Sequence, residues 1–533
     1  MTPSARSAPP SAAVAPSAPA PPDAAVAPSA PATPSAPATP SAAVAPSAPV
    51  APPVPVVSAE LGASIPPHVA ALMERLRENG HAAYLVGGSL RDLLLGREPV
   101  DWDLATDARP EQVAALVPGA RADNPFGTVF APTAAGPVEI TTFRADRAYE
   151  DFRRPTGVDF GERIEDDLAR RDFTINAIAW GAARGAGPGA APGAGPGAAS
   201  GAGPGIEPSA GSTPTLIDPF DGRGDLDRRL LRAVGDPGAR FREDALRTLR
   251  AVRLAAVLGF EIEPATLAAI GEAAPLAVHL SGERIAAEIE RLLAADRPSV
   301  GLRLAMDSGL LRVIATLLAE ERGVTQNKAP GEDLWDHTCR TVDAAAAATA
   351  SPTVRLAALL HDIGKPATID GGHFYGHEVV GAEMAADLLR RWNRPRETVE
   401  RVTHLIRQHM FGYAPAWSDA AVRRFIGKVG RERLDELFAL READNVGSSR
   451  DPDVDGLAEL RARVARELAA GSAIDRSGLA IDGADLIAEL GLTPGPTIGK
   501  ILGRLVERVV ADPTRNERGL LLEAARAIVS GDR

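Results

Sequence analysis

A single cysteine, Cys339, excludes a disulfide framework and any all-thiolate zinc site. Lysine is nearly as scarce. It stands only at Lys328, Lys365, Lys428 and Lys500, so almost all the positive charge is arginine, the better phosphate fork. No run of about 18 purely apolar residues occurs, which argues against a spanning helix. The N-terminus, MTPSARSAPPSAAVAPSAPAPP, lacks the apolar stretch behind basic residues that marks a secretory signal. A cytoplasmic, non-membrane protein is the expectation. An excess of positive charge is missing too. The formal net charge of −12 argues against broad non-specific nucleic-acid binding, but it leaves room for a local basic groove.

What is present suffices for several domains: 533 residues, 45% apolar and 24% charged, ordinary values for a chain with a sizeable core. Proline and glycine are distributed unevenly. From Met1 to about Val57 the chain cycles through APSAP, ATPSAP and AVAPSAP. Such prolines forbid helix, and Ala/Ser/Pro buries too little apolar area to offset ordering entropy, which predicts a disordered, partly polyproline tail. A second tract, GAARGAGPGAAPGAGPGAASGAGPG, starts at Gly181. Apolar segments on both sides predict an insertion looped out of a domain. Between the tracts the pattern is mixed α/β. Pro67 to Asn79 has helical spacing, AAYLVGG reads as a buried strand entering a glycine turn, and SLRDLLLG as the helix after it. VDWDLAT, GTVFAP and VEITTFR are strand-like. Beyond Phe241 the three-to-four spacing of apolar residues predicts helices throughout.

Gly87 and Gly88 close the strand and precede the helix, so backbone N–H groups can approach an anion there; a plain turn has the same appearance. If VDWDLAT is a strand, Asp101 and Asp103 share one face. Two carboxylates on one face of a buried strand repel unless a cation separates them, and a pair of Mg²⁺ ions holding a triphosphate is the natural occupant. A solvated strand end is the bland alternative.

Glycine turn, Arg91-Asp92 and Asp-x-Asp in this order resemble the DNA polymerase β-type nucleotidyltransferase superfamily. In such sites a third acid comes from a neighbouring strand, and Glu139 in VEITTFR is the candidate. TTFRADRAYEDFRRP and EDDLARRDFTINAIAW are similar to the bacterial class II tRNA nucleotidyltransferase and poly(A) polymerase family, in which this stretch holds ribose and triphosphate contacts and a flexible loop. By position, Arg144, Asp146, Asp167, Arg170, Arg171, Asp172 and Asn176 match. LIDPFDGRGDLDRRLLRAVGDP and FREDALRTLRAVRLAAVLGF extend the resemblance, which covers roughly Ala82 to Leu293.

EDALR reads as one helical turn that places Asp244 and Arg247 on a common face beside Glu243. Cytosine and adenine both show an amino donor beside a ring-nitrogen acceptor; guanine and uracil show a carbonyl beside a ring N–H. A carboxylate and a guanidinium side by side therefore admit the first pair alone. The resemblance assigns this base-reading role to Asp244 and Arg247, with Glu243 orienting the arginine. A surface ion pair is the alternative. Residues 223–253 also hold nine arginines against five acids, a local strip suited to an RNA 3′ end.

LWDHTCRT, ALLHDIGKP and READN supply His337, His361, Asp362 and Asp444, good ligands for a divalent transition metal. They resemble the HD phosphohydrolase superfamily, whose His…His-Asp…Asp pattern they match. Its members hydrolyse phosphoesters with a metal-bound water. His377, His404 and His409 lie between these ligands and read either as a second metal site or as packing residues. Cys339 reads as a small core residue.

Together these resemblances imply an α+β head with a polymerase β-like mixed sheet, followed by an all-α neck, body and HD domain. The expected organisation is a tail over residues 1–58, a head over 59–235 with its insertion at 181–213, a neck and RNA-binding region over 236–330, an HD domain over 331–450 and a helical region over 451–533. The activity implied is template-independent addition of CCA to tRNA 3′ ends from CTP and ATP. Mg²⁺ would serve the head, and Ni²⁺, Mn²⁺ or Co²⁺ an HD domain that trims RNA ends. Poly(A), CC-only or A-only addition stays open, as does a metal phosphohydrolase with an RNA-binding head.

Overall fold

The structure, a computed structural model, describes residues 58–122, 127–146, 158–184, 214–326, 331–454, 456–471 and 473–531. The Ala/Pro/Ser tail, nearly all of the Gly/Ala/Pro tract and the loop sequence at 147–157 lie outside the described residues.

The head is built on a mixed sheet: β1 (Ala83–Val86), β2 (Asp103–Thr106), β3 (Arg121–Ala122), β4 (Thr128–Thr133), β5 (Gly136–Thr142), β8 (Ala179–Ala182) and β9 (Thr215–Ile217). Its order is β3-β4-β5-β2-β1-β8-β9. β2 and β5 run parallel, and the other pairs antiparallel. β6 (Arg144–Asp146) and β7 (Val158–Phe160) form a separate antiparallel ribbon. All four residues of β1 are buried because both faces of the sheet are covered. Ala83 and Leu85 enter the large core, whereas Tyr84 and Val86 enter a smaller one with Phe143 and Leu168, the alternation that a strand's period of two dictates.

The insertion begins later than its composition suggests. Gly181 and Ala182 belong to β8, where Gly181 pairs with Tyr84. A side chain on Gly181 would place its Cβ 2.2 Å from the Ala83 carbonyl oxygen, so this glycine serves a close strand approach and not a linker.

Beyond Pro237 the chain is helical apart from short pairings. Helix Gly282–Leu293 buries Ile285, Ile289 and Leu292 at the spacing of one helical stripe. Each such side chain contributes about 1.5–3 kcal/mol by burial, so an Ile289→Asp change would open the seam against the neighbouring helices. The large core runs from the head to Ile474, and a third, around Leu486, Leu505 and Leu521, holds the C-terminal helices.

EDALR is not one helical turn. Helix Pro237–Glu243 ends there, Asp244 is extended at φ −145° and ψ 107°, and helix Leu246–Leu258 follows. Asp244 Oδ1 accepts from the Leu246 N–H at 3.0 Å, and a short acidic side chain that satisfies backbone donors in this way favours a helix break. Among the described residues no helix is long and apolar enough to cross a membrane.

Candidate active sites

The parallel register sets Asp103 directly against Glu139, and adjacent residues on paired strands present side chains to the same face. Asp101 is not in β2. It sits exposed in the bend two residues earlier, close enough to act on both partners. Burial, with Asp101 adding to it, raises the Asp103 carboxyl above its ordinary range while Arg171 opposes. Burial and then Asp103 raise Glu139. Asp103 and Glu139, with Asp101 beside them, form an oxygen donor set whose crowded charge a Mg²⁺ ion would relieve, so the residues fit that metal.

Gly87 closes this floor. Its φ is +70°, and a Cβ there would lie 3.1 Å from Asp103 Oδ2 and 3.0 Å from Arg171 Nη1. The absence of a side chain thus leaves the backbone at the head of helix Gly87–Leu94 facing the acids.

Above the floor opens a cavity of about 460 Å³ lined by Gly87, Gly88, Asp103, Glu139, Arg144, Arg170, Arg171, Asp172, Asn176, Asp244, Arg247, Arg250 and Arg284. Six arginines in one cavity of a protein of net charge −12 make the local positive field that the overall charge left open. Two of the expected residues stand behind this wall. Asp167 is fully buried and binds Arg170 Nη2 at 2.6 Å and Arg171 Nη2 at 3.2 Å. Burial would raise its pKa, but the two guanidiniums hold it lowered. Arg91 is turned to Asp92 at 2.8 Å and donates to Asn176 Oδ1 at 2.9 Å. Asp146 ends β6.

Glu243 Oε2 binds Arg247 Nη1 closely and Arg240 Nη1 at 2.8 Å. Arg247 Nη2 also donates to the Arg170 carbonyl at 3.0 Å. Asp244 does not pair with Arg247: its Oδ2 accepts from Arg284 Nη2 at 2.6 Å. Sequence reasoning missed Arg250 and Arg284. Arg250 stands one helical turn after Arg247 and was legible by spacing, whereas Arg284, 40 residues on from Asp244, carried no signal.

The second site lies in the helical region. His337, Asp362 and His361 converge from helix Leu334–Ala348 and from the residues ending helix Pro352–Leu360. His337 Nε2 lies 3.2 Å from Asp362 Oδ2 and 3.3 Å from Asp444 Oδ1, and His361 Nε2 is 3.1 Å from Asp362 Oδ2. On the other side of Asp362, Oδ1 faces His377 Nε2 at 3.3 Å and His409 Nε2 at 3.7 Å. His404 does not join them: its Nε2 meets the Val429 carbonyl at 2.8 Å. His377 Nε2 and His409 Nε2 are buried with no hydrogen-bond partner, which is costly for a polar atom unless a cation takes the lone pair. Burial and the neighbouring His361 push His409 down to about 3, so the ring is neutral and its lone pair open. Lys365 Nζ holds Asp362 Oδ2 at 2.5 Å. Burial would raise Asp362, but His361 and Lys365 keep it well below the carboxylate range. Two metal ions sharing Asp362 fit this donor set. Cys339 is fully buried, and burial raises its thiol, as a core residue requires.

A mixed sheet that aligns carboxylates beneath an arginine-walled cavity, joined to helices and an HD centre, defines a nucleotidyltransferase with a poly(A) polymerase-type head. Residues 83–187 match the family described as Poly A polymerase head domain, residues 259–321 that of the probable RNA and SrmB-binding site of polymerase A, and residues 334–447 the HD domain. The CCA-adding enzyme of Lacticaseibacillus paracasei is 33% identical over 457 residues, 85% of this chain and 94% of its own. That of Geobacillus stearothermophilus is 31% identical over 457 residues, 85% of this chain and 95% of its own. The crystal structure of the Bacillus stearothermophilus CCA-adding enzyme in complex with CTP superposes with a TM-score of 0.62 at 28% identity, covering 88% of this chain and all of that one. The chain belongs to the CCA-adding enzyme family.

Proposed function

We propose that the protein adds CMP, CMP and AMP in turn to the 3′ end of tRNA lacking CCA, using CTP and ATP without a nucleic-acid template. The observation that carries this reading is that one cavity brings together Asp244 and Arg247, which would read the base, and Asp103 and Glu139, which would hold the metal. In each addition the 3′ hydroxyl oxygen bonds to the α-phosphorus of the incoming nucleotide, the bond to pyrophosphate breaks, and the hydroxyl proton is lost.

Asp101, Asp103 and Glu139 would hold Mg²⁺, which supplies charge stabilisation at the attacking and leaving oxygens. The chain's own work is placement. Arg144, Arg170 and Arg171 address the triphosphate, with Asp167 fixing the last two. Asp172 and Asn176 stand as polar wall residues toward the ribose, and Arg91 fixes Asn176. Gly87 and Gly88 leave backbone donors near the phosphates. Arg284 and the Leu246 N–H occupy one lone pair on each Asp244 oxygen, and the remaining lone pairs are left to accept from a base amino group. Glu243 holds Arg247 where its guanidinium can donate to the ring nitrogen. The cytoplasm, where tRNA is matured, is the setting this reading implies.

The test is direct. A tRNA transcript ending before CCA, incubated with each NTP, should gain two residues from CTP alone and one more when ATP is added. Long A tracts from ATP alone, or no addition at all, would overturn the assignment.

The reading for the HD centre is a phosphohydrolase holding divalent transition metals such as Ni²⁺, Mn²⁺ or Co²⁺. His337, His361, Asp362 and Asp444 would hold one ion; Asp362, His377 and His409 would hold another. The supporting observation is the pair of partnerless imidazole nitrogens facing Asp362. Bound there, the metals would supply a water activated for attack on a phosphoester.

A further inference from the structure

The helix that carries Arg284 to Asp244 is gripped on another face by the HD region. We infer that this grip sets base choice: Asn393, Arg394 and Arg355, with the close approach at Gly282, position Arg284 and through it the Asp244 carboxylate. The HD region thus serves selection of the incoming nucleotide by packing, apart from any metal it binds. The inference rests on the base-reading role of Asp244 and Arg247 and adds the residues that fix its geometry.

Asp244 stands in the break between two helices, and its carboxylate is held by the Leu246 N–H and by Arg284 Nη2. Arg247 belongs to helix Leu246–Leu258, whereas Arg284 belongs to helix Gly282–Leu293. The spacing between the acceptor and the donor that face a base therefore depends on where the second helix stands against the first. Glu288 Oε2 ties the two helices by binding Arg253 Nε at 2.7 Å. One polar tie cannot fix both tilt and slide, and the apolar seam of Ile285 and Ile289 is non-directional.

The HD region supplies the other ties. Glu283 and Glu290, seven residues apart, share one face of the helix, and Arg284 and Glu288 share another. Glu283 Oε1 accepts from Asn393 Nδ2 at 2.6 Å, and Glu290 Oε1 pairs with Arg394 Nη2 at 2.8 Å. At the C-terminal end, Arg355 Nη1 donates to the Leu293 carbonyl at 2.7 Å, one of the carbonyls that a helix end leaves without a partner in the helix. At the N-terminal end, a Cβ on Gly282 would lie 2.0 Å from the Arg391 carbonyl oxygen and 2.8 Å from Trp392 Cα. Backbone meets backbone there, two residues before Arg284.

The HD side of this junction is itself fixed. Helix His377–Arg391 ends at Trp392, and Asn393 takes φ of 51°. The N–H groups of Asn393 and Arg394 return to the carbonyls of Arg390 and Leu389 at 2.9 and 3.0 Å, the two-bond cap that stops a helix on a left-handed residue. Trp392 is buried, and its Nε1 donates to the Ile314 carbonyl at 3.3 Å. The cap sets the directions from which Asn393 and Arg394 reach their glutamates. None of Asn393, Arg394, Glu283 and Glu290 lines the head cavity, so their influence on base choice passes through the helix.

The test measures kcat/KM for CTP and for UTP on a tRNA transcript lacking CCA, with a melting curve for every protein. The variants are Asn393→Ala, Gly282→Ala, Arg394→Glu, Glu290→Arg and the last two combined. Arg390→Ala, exposed on the same helix end, is the control, and Asp244→Ala is measured in parallel. The Arg394–Glu290 pair is 22% and 32% exposed, so breaking it costs little stability and it carries the test even if Gly282→Ala does not fold. Arg394→Glu and Asn393→Ala should each lower the preference for CTP over UTP by about 2- to 30-fold. The combined charge swap should restore the preference, and Arg390→Ala should leave it unchanged. If Asp244→Ala loses the preference while the Arg394 and Asn393 variants keep it, the inference is overturned and the Glu288–Arg253 tie suffices. Equal losses for CTP and UTP, or a charge swap that restores nothing, would overturn it as well. A preference kept in Asp244→Ala would instead refute the base-reading role beneath it.

Discussion

Arg250 Nε donates to Asp172 Oδ2 at 2.7 Å, and this pair joins the wall of the head cavity to the long helix Leu246–Leu258. Asp172 also accepts from the Phe173 N–H at 2.9 Å and from Asn176 Nδ2 at 3.0 Å. Burial would raise its pKa, but Arg250 and these donors hold the carboxyl far below its usual range. Arg250→Ala should therefore lower the unfolding free energy by about 2–3 kcal/mol, less than for a wholly buried pair because a third of the arginine is exposed. The sign with pH follows from the lowered value. The contribution is complete above the unfolded pKa near 4 and is lost as pH falls toward the folded one. Denaturant melts of wild type and Asp172→Asn should differ at pH 7 and converge in acid; parallel curves down to pH 2 would contradict the pair's role.

Gly87→Ala is expected to slow nucleotide addition strongly while the protein stays folded. The backbone strain at φ +70° costs about 1–2 kcal/mol, small against the stability of a domain. The new Cβ, 3.1 Å from Asp103 Oδ2, would displace the carboxylate by tenths of an ångström. A misplacement of about 1 Å near reacting atoms costs about a hundredfold in rate, so a shift of tenths of an ångström should cost roughly tenfold or more. Single-turnover addition of CMP, together with a melting curve, checks both halves.

Asp244→Ala should relax base choice more than it weakens triphosphate binding. It removes the acceptor for the amino group of C or A but leaves Arg144, Arg170 and Arg171 in place. Discrimination against UTP and GTP should fall by about 1–3 kcal/mol, roughly 5- to 150-fold. Equal loss for all four nucleotides would mean that Asp244 supports the fold through Arg284 and does not read the base. Arg284→Ala then serves as the control: it should move selectivity in the same direction, since it frees the Asp244 carboxylate.

Much of this site was legible because strand spacing and motif order are local properties. Gly87, Asp103 and the HD pair each sit within a few residues of the element that positions them. What depended on chain crossings was not legible. Glu139 was reached only through the family resemblance, because the parallel register that sets it against Asp103 joins segments 36 positions apart. The partner of Asp244 comes from a helix 40 residues away, and helical periodicity pointed to Arg247 instead. Periodicity also ran through EDALR without a break, because the Asp244 side chain that accepts from the Leu246 N–H competes with the helix by chemistry that apolar spacing does not record. His377 and His409 read as ambiguous for the same reason. Each is an isolated histidine in sequence, and only folding brings their nitrogens to one carboxylate while His404 turns to a carbonyl.

The last prediction separates the two centres by metal content. Asp362 offers one oxygen to His337 and His361 and the other to His377 and His409, so the two ions should respond to different substitutions. His377→Ala with His409→Ala removes two of three ligands on one side and should lower bound Mn²⁺ or Co²⁺ from two ions per chain to one, measured by elemental analysis after dialysis. His361→Ala with Asp362→Ala removes the shared bridge and should empty both. Addition of CCA should persist in either double variant. Asp103 and Glu139 lie in the head sheet and Asp101 in the bend before it, and the Mg²⁺ they would hold does not depend on imidazole. A melting curve guards against the alternative that the loss reflects unfolding, since two buried imidazoles are also packed against each other. If a folded His361→Ala, Asp362→Ala protein can no longer extend tRNA, the centres are coupled through the continuous core that links them. If the His377 and His409 variants keep two ions, these histidines are packing residues and the second metal site is wrong.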